Sequence, residues 1–254
     1  MLTGIDHLVI AVPDLDAAAA DLERELGIQA DAGGRHERLG TLNRLSWFGD
    51  SYVELIAAFD PPLAAGSWIG APTLQALETG GGLVTWSIAT DAIDADRERL
   101  HATGSDLAEP ISGERLRPDG RMVRWRLAGP PAVTPTAPFL IEHDPAGAEW
   151  TPSERAERAA RRHPAGGPVR LEVLELPVPD VNRATQRLLR AAGLRFRPSL
   201  AGGGARDASL GSQLIRLRPG RHGEALTAVI RLAGAGLPNR SADLLGCRWI
   251  LRPA

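Results

Sequence analysis

The stretch HLVIAVPDLDAAAADLERELG (residues 7–27) decides the fold, because it joins an apolar strand to a bracketed helix. Asp14 can accept hydrogen bonds from the free N–H groups at a helix start. Gly27 can take the left-handed conformation that ends a helix. Between them, apolar residues recur at helical spacing, at Leu15, Ala18, Ala19, Leu22 and Leu26. The stretch predicts a strand that leads into a three-turn helix.

The same pattern occurs twice more in the chain. Residues 84–104 read VTWSIATDAIDADRERLHATG, and residues 172–193 read EVLELPVPDVNRATQRLLRAAG. The capping positions are then Asp91, 77 residues after Asp14, and Asp180, 89 residues after Asp91. These separations are too long for a solenoid repeat. The pattern therefore indicates a duplicated module, with helices that begin near residues 14, 91 and 180.

Strands are predicted after each helix. In the first copy, TLNRLSWF and YVELIAAF are joined by a tight turn at Gly49 and Asp50. In the second copy, the run Pro118-Asp119-Gly120 is typical of a turn, since proline presets one corner and glycine allows a positive φ at another. Each module is thus β-α-β-β-β, and the fold class is α+β.

Composition limits the function classes. The chain has 254 residues, of which 43% are hydrophobic, enough for one large core or two small ones. No apolar run approaches the ~20 residues of a membrane span, and the start MLTGID lacks the parts of a signal peptide. We therefore expect a cytoplasmic protein without a membrane partner. The single cysteine, Cys247, excludes an internal disulfide, and the net charge of −2 gives no basic bias for nucleic acid.

Several motifs carry a family resemblance. The segments IDHLVIAVPDLDAA (5–18), GGRHERLGTLNRLSWFGDSYVELIAAFDP (33–61), RLRPDGRMVRWRL (115–127) and PFLIEHDP (138–145) resemble the glyoxalase-like domain family. That family belongs to the vicinal-oxygen-chelate superfamily of glyoxalase I, extradiol dioxygenases and bleomycin-resistance proteins. The resemblance implies two βαβββ modules that form a half-barrel pair around one cavity, with a third incomplete module. The expected domains are residues 1–145, a solvated helical linker over 146–167, and 168–254.

The resemblance also implies a metal site on the first and fourth strands of a module. It places His7 and Glu54 there, and strand alternation puts both side chains on the cavity side. Glu142 is the candidate partner from the second module. Three such ligands suit a divalent Zn, Mn, Ni or Fe ion and leave open positions for substrate oxygens. Glu54 and Glu142 are also the candidate catalytic groups, since either carboxylate could move a proton.

Two other interpretations of these residues stay open. His7 and Glu54 could simply hydrogen-bond each other across neighbouring strands. Two carboxylates that face one cavity without a metal could also share a proton. The later copies of the pattern carry Val84 and Val173 where the first carries His7, which departs from a full glyoxalase I ligand set.

A second group of residues is predicted to bind a small-molecule substrate. An arginine fork beside an aromatic face suits a planar or carboxylated compound. The other histidines, His101, His163 and His222, are interpreted as surface residues. The candidate substrate-binding residues are Arg35, His36, Asn43, Trp86, Arg117 and Trp125.

Two classes of function follow from these features. The first is a metal-dependent lyase, isomerase or dioxygenase-like enzyme that acts on a small substrate with neighbouring oxygens. The alternative is a metal-free protein that binds or sequesters a small molecule, as bleomycin-resistance proteins do, and a scaffold with a vestigial site is a third possibility. A homodimer is expected, or a monomer whose third module covers the exposed sheet.

Overall fold

The computed structural model describes residues 1–220 and 227–254, and therefore not His222. The first module has one helix and four strands, in the predicted βαβββ order. Its helix α1 follows the first strand directly, and a turn at Gly49 and Asp50 joins its last two strands as expected. The elements are β1 (Leu2–Ala11), α1 (Leu15–Leu26), β2 (Asp31–His36), β3 (Thr41–Phe48) and β4 (Ser51–Ala58).

The second module repeats this order after a short helical insertion. The insertion consists of α2 (Pro61–Ala65) and α3 (Gly70–Leu77). The turn at Pro118-Asp119-Gly120 separates two of the strands, as predicted. The elements of the module are β5 (Gly82–Thr90), α4 (Ile93–His101), β6 (Ile111–Leu116), β7 (Met122–Ala128) and β8 (Phe139–His143).

The strands of these two modules close into one barrel. Their order around it is β1-β4-β3-β2-β6-β7-β8-β5, so that each module supplies one half. In both halves the first and fourth strands pair in parallel, β1 with β4 and β5 with β8. The seam between β2 and β6 is short, since Arg35 and Leu116 are its only paired residues. The predicted pair of half-barrels around one cavity is confirmed.

Two of the three predicted caps are present. Asp14 accepts hydrogen bonds from two backbone N–H groups of α1, and Gly27 ends this helix in the left-handed conformation. In the third module, Asp180 accepts one hydrogen bond, from the N–H of Arg183, and Gly193 ends the helix in the left-handed conformation. Asp91 does not cap, because its carboxylate binds the N-terminal ammonium of Met1 and α4 begins two residues later. The second helix therefore starts near the predicted place but without a side-chain cap.

The rest of the chain forms an open sheet of seven strands. The elements are α5 (Pro152–Ala160), β9 (Val169–Val178), α6 (Val181–Ala192), β10 (Arg197–Pro198), β11 (Arg206–Leu210), β12 (Gln213–Pro219), β13 (Ala228–Gly234), β14 (Arg240–Leu244) and β15 (Cys247–Pro253). The strands lie in the order β10-β11-β12-β9-β13-β15-β14. This order repeats that of β2, β3, β4, β1, β5, β8 and β7 in the barrel, but the sheet does not close. The linker helix α5 precedes the sheet, and α6 follows β9. The division of the chain into domains after residues 145 and 167 stays a prediction.

A large core lies outside the barrel wall, and a smaller one lies inside it. Leu8, Ile10 and Leu55 belong to the outer core, whereas Val9 and Ile56 belong to the inner one. This alternation is the one expected for β1 and β4, and it turns His7 and Glu54 inward. No helix among residues 1–220 and 227–254 has the length and apolar character needed to cross a membrane.

The interpretation of His163 as a surface residue is wrong. Its side chain is buried, and its Nε2 lies 2.8 Å from the backbone oxygen of Trp47, while its Nδ1 accepts from the N–H of Gln29. Burial lowers the pKa of His163, although the hydrogen bond to Trp47 opposes this. His101 is exposed, as expected.

Candidate active site

His7 is the central side chain of a buried polar group inside the barrel. Its Nδ1 lies 2.6 Å from the carboxylate of Asp6 and 2.7 Å from the hydroxyl of Ser87. Its ring stacks on Tyr52 with 4.5 Å between the centroids. An ionised carboxylate only accepts hydrogen bonds, so Nδ1 carries the proton that binds Asp6. The other nitrogen, Nε2, therefore faces the barrel interior.

Glu54 faces His7 across the interior. Its Oε2 lies 3.6 Å from His7 Nε2, slightly beyond hydrogen-bond length, and its Oε1 accepts a bond of 2.6 Å from Asn43 Nδ2. Glu54 and Asn43 are both buried. The carboxylate is thus held on one side by an amide and open toward the imidazole on the other.

His36 lies at the end of β2, beside the same carboxylate. Its Nε2 is 4.0 Å from Glu54 Oε1, and its Nδ1 is 3.0 Å from Thr41 Oγ1. Burial lowers the pKa of His36, and the nearby charges of Arg115 and His7 add to this, while Glu54 opposes it. His36 is therefore a neutral imidazole at pH 7.

Asp6 holds two histidines at once. Its carboxylate contacts His7 and also His143, whose Nε2 lies 3.1 Å from Asp6 Oδ2. Burial by itself would raise the pKa of Asp6, but the charges and hydrogen bonds of the two histidines hold it well below its usual range. Asp6 thus stays ionised and orients both rings.

A cavity of about 50 Å³ lies between these groups. Its apolar walls include Phe139 and Leu127, and Trp125 meets His36 edge to face with 6.1 Å between the centroids. Trp68, from the insertion between the modules, also lines it. Trp68 and Trp125 line a larger outer groove as well, so they stand between the cavity and the outside.

The structure places Glu142, the predicted third ligand and catalytic group, outside this group. Neighbouring residues of a strand point to opposite faces, and on β8 it is His143 that turns inward. Glu142 lies on the helix side. Its Oε1 accepts from the backbone N–H of Ile93 at the start of α4, and its Oε2 is 3.6 Å from Arg126.

Three predicted substrate-binding residues also lie elsewhere. Arg35 is on the outer face of β2, over the ring of Phe59 and paired with Glu37. Trp86 is fully buried in the outer core, because irregularities in the pairing of β1 with β5 turn it away from the cavity. Arg117 binds Asp119 and Glu149 and does not line the cavity.

Of the six predicted substrate-binding residues, the structure brings His36, Asn43 and Trp125 to the cavity. The prediction missed Asp6 and His143, although each stands next to a residue that it had considered. The sequence signal for Asp6 is its position beside His7, because these two polar residues stand together in a stretch, residues 5–11, that is otherwise apolar.

Family comparison agrees with this architecture. A model of the glyoxalase-like domain family matches residues 5–192. The chain belongs to this family. The motif resemblance to the glyoxalase-like domain family is thereby confirmed. No curated protein sequence matches the chain.

Two solved structures with TM-scores above 0.5 share the fold. The glyoxalase-like chain is similar to a hypothetical protein from Staphylococcus aureus, with 16% identity, 100% of both chains covered and a TM-score of 0.80. A xylose isomerase-like TIM barrel/4-hydroxyphenylpyruvate dioxygenase fusion protein has 15% identity and a TM-score of 0.55, with 92% of this chain but 37% of that chain covered. A methylmalonyl-CoA epimerase from Mycobacterium tuberculosis has 22% identity and a TM-score of 0.43, with 57% and 90% covered. At these identities the likeness concerns the fold alone.

The residues of the glyoxalase-like site do not complete the metal site that the superfamily implies. Two ligands of one tetrahedral ion are ~3.4 Å apart, so the 3.6 Å between His7 Nε2 and Glu54 Oε2 could span a cation. The register of β5 with β8, however, puts Ser87 and Ile141 at the equivalent positions of the second module. Within residues 1–220 and 227–254, no three His, Cys, Asp or Glu side chains are grouped to hold a metal. The second half of the ligand set is therefore missing.

A buried ion pair between Arg115 of β6 and Glu149 of the linker closes one side of the cavity. Arg115 binds both carboxylate oxygens of Glu149 at 2.9 and 2.8 Å and donates to the backbone oxygen of Gly33. Trp150 follows Glu149 and stacks on His143 with 3.6 Å between the centroids. The linker was expected to be a solvated helix, but Arg158 of α5 is buried against the rings of Trp47 and Trp150. The linker thus forms part of the barrel wall.

Gly33 packs directly against Asn43, whose amide holds Glu54. A methyl group at Gly33 would lie 2.0 Å from Asn43 Oδ1, so Gly33→Ala must displace this amide. We expect the variant to lose about 1–3 kcal/mol of unfolding free energy, measured by urea denaturation. Gly129→Ala is the matched control, because a methyl group there meets nothing within 4 Å. Equal stability of the two variants would contradict the close packing of Gly33 on Asn43.

Proposed function

We propose that this glyoxalase-like protein is an enzyme that moves a proton on a small oxygenated compound, as an isomerase or lyase does. The observation that carries the proposal is the buried line Asp6, His7 and Glu54 inside the barrel. Burying ionisable side chains costs free energy that burying apolar side chains does not cost. Such groups in a cavity are typical of functional sites, which argues against a vestigial scaffold.

The geometry supports a division of roles within this line. Asp6 holds the Nδ1–H of His7, which directs the Nε2 of the imidazole toward Glu54. A carbon that bears an acidic C–H, next to a carbonyl group, could lie in the cavity beside both His7 Nε2 and Glu54 Oε2. One group would remove the proton, and the other would return a proton to the neighbouring carbon or oxygen, so that the pair shifts a proton without a net change.

Neutral His36 and the amide of Asn43 would support this transfer. Asn43 holds Glu54 Oε1, so that Oε2 is the oxygen left to take the proton. His36 stands 4.0 Å from the same carboxylate, and a neutral imidazole can donate an N–H to a developing oxyanion. The apolar walls of Phe139 and Leu127 exclude water, which strengthens these interactions.

The cavity volume restricts the reacting group. About 50 Å³ corresponds to roughly four water molecules, so only a short oxygenated head group fits beside His7. A longer substituent would extend past Trp68 and Trp125 into the outer groove. We therefore propose 2-oxo or 2-hydroxy carbonyl compounds as the substrate class.

Hydrogen exchange in heavy water tests the proposal. The protein is incubated in D₂O with dihydroxyacetone, acetoin, 2-oxobutyrate and hydroxypyruvate, and loss of the proton signal beside the carbonyl is followed by NMR. We expect the wild type to accelerate exchange for at least one compound and Glu54→Gln to lower that rate at least ~100-fold. Glu142→Gln is the matched control, since this carboxylate lies outside the cavity, and its rate should equal that of the wild type.

Other results would favour other functions. Tight binding of these compounds without exchange would support the metal-free binding protein of the bleomycin-resistance type. A rate that a chelator abolishes, and that Zn²⁺, Mn²⁺, Ni²⁺ or Fe²⁺ restores, would support the metal-dependent lyase, isomerase or dioxygenase-like enzyme. Exchange that persists in Glu54→Gln would contradict the role given to this residue.

A further inference from the structure

The open sheet contains a second set of positions equivalent to the barrel site. In the barrel, Val9 pairs with Glu54 across the parallel strands β1 and β4. In the open sheet, Glu175 pairs with Arg216 across the parallel strands β9 and β12. Arg216 therefore occupies the position of Glu54. By the same register, Val173 occupies the position of His7.

The other half of the open sheet extends this equivalence. Ser87 lies two residues beyond the partner of Val9 on β5, and Arg231 lies two residues beyond the partner of Glu175 on β13. The parallel pairing of β13 with β15 then places Arg252 where the barrel has Ile141. Three of the four equivalent positions of the open sheet are thus arginines, and none of the four is a metal-ligating residue type.

Two of these arginines, Arg216 and Arg231, gather with Arg218 around one carboxylate, whereas Arg252 binds Glu172. Glu175 is buried, and its oxygens lie 3.0 Å from Arg218, 3.2 Å from Arg231 and 3.8 Å from Arg216. Arg216 also binds Asp207 through two nitrogens, at 2.8 and 2.9 Å. Arg218 and Arg231 remain partly exposed. The cluster is therefore accessible from the open face of the sheet.

Hydrogen-bond donors exceed acceptors in this cluster. Three guanidinium groups carry fifteen N–H donors, whereas two carboxylates accept about eight hydrogen bonds. Among the residues that the structure describes, Arg231 Nε is buried without a hydrogen-bond partner. The charges of Arg216, Arg218 and Arg231 also exceed those of Glu175 and Asp207 by one. A buried donor without an acceptor is costly, and a bound anion would remove that cost.

We propose that this arginine cluster is a second binding site, specific for a small molecule with phosphate or carboxylate oxyanions. Guanidinium groups bind both kinds of oxyanion in a planar, two-bond geometry. Glu175 then occupies the site when no ligand is bound and competes with the incoming anion. The site lies on the open sheet and not in the barrel, and it is independent of the reaction proposed for the barrel cavity.

Calorimetric titration with pyrophosphate and with citrate tests this site. The wild type should bind one of the two anions, and the identity of that anion tells whether phosphate or carboxylate is recognised. Arg231→Gln should weaken binding about tenfold, since one charge-assisted hydrogen-bond donor is lost. Glu175→Gln should strengthen binding several-fold, because a competing negative charge is removed. These opposite signs separate a loss of ligand contacts from a loss of folding.

Two controls locate the site. Arg248→Gln removes an exposed arginine of β15 that pairs with Asp243 and should leave the affinity unchanged. Glu54→Gln should also leave it unchanged, because Glu54 belongs to the barrel. Absence of binding by the wild type, equal affinities in all variants, or a loss with Glu54→Gln would each overturn the proposal.

Discussion

Replacing Asp6 by asparagine is expected to lower the proton-exchange rate by about 10³–10⁴-fold, the largest effect expected from a single substitution. The carboxylate of Asp6 fixes the proton on His7 Nδ1 and leaves Nε2 directed at Glu54. An asparagine amide can present an N–H to the same nitrogen and so favour the wrong tautomer. In a hydrolase triad, such a change has an effect of this size without a change of geometry.

Asp96→Asn is the matched control for Asp6→Asn. Asp96 is also buried, and its carboxylate binds Thr90 and Arg99, away from the cavity. This variant should lose stability but keep the exchange rate of the wild type. Equal losses of activity in the two variants would mean that Asp6 acts only through folding.

Asp6→Asn should also change how the free energy of unfolding depends on pH. The pKa of Asp6 is lowered in the folded protein, so its contribution is complete above the unfolded value of ~3.9 and is lost as the pH falls below it. The free energy of unfolding of the wild type should therefore drop more steeply between pH 5 and pH 3 than that of Asp6→Asn, as measured by urea denaturation. Parallel curves would contradict the ionised state of Asp6.

Replacing Arg115 by glutamine is expected to lower the free energy of unfolding by about 3 kcal/mol, the lower end of the cost of breaking a buried ion pair. Arg115 and Glu149 form a buried pair with two hydrogen bonds, and the variant would leave the buried Glu149 charge with Arg117 alone, at 3.1 Å. The double variant Arg115→Gln/Glu149→Gln should recover most of the loss, because the buried charge is then gone. Urea denaturation of the two variants measures this difference.

An exposed pair provides the comparison for Arg115→Gln. Arg126 binds both oxygens of Asp94 at the surface, at 2.7 and 2.8 Å, so its geometry resembles that of the buried pair. Arg126→Gln should change stability much less, since exposed ion pairs are screened by water. If the double variant at residues 115 and 149 were no more stable than Arg115→Gln, the loss would come from the hydrogen bond to Gly33 instead.

Local signals in the sequence predict the strand and helix order well. The caps at Asp14 and Asp180 act through neighbouring backbone groups, so spacing alone reveals them. Alternation of side chains likewise predicts that His7 and Glu54 face inward, because β1 and β4 pair without a bulge over these residues. Asp91 fails as a cap because the N-terminus of the chain, ninety residues earlier, takes its carboxylate.

The rest of the site depends on contacts that local patterns do not contain. Glu142 and His143 are neighbours on β8, and the Pro-rich segment before this strand hides which of them turns inward. Trp86 turns outward because of a bulge that arises only when β1 pairs with β5. Glu149 comes from a linker that has the composition of an exposed helix. Only the arrangement of the whole barrel brings it to Arg115.

The short seam between β2 and β6 has a consequence for how a small molecule could enter the barrel. Elsewhere around the barrel, neighbouring strands share a ladder of several pairs, whereas here Arg35 and Leu116 are the only paired residues, with one side-chain hydrogen bond from Arg115 to the backbone oxygen of Gly33. His36 lies next to Arg35, so the weakest line of the wall runs beside the cavity. Separation of the two halves along this line would break the fewest backbone bonds. The boundary between the duplicated modules is thus the line along which the barrel would open most easily, and His36 and Glu54 lie directly behind it.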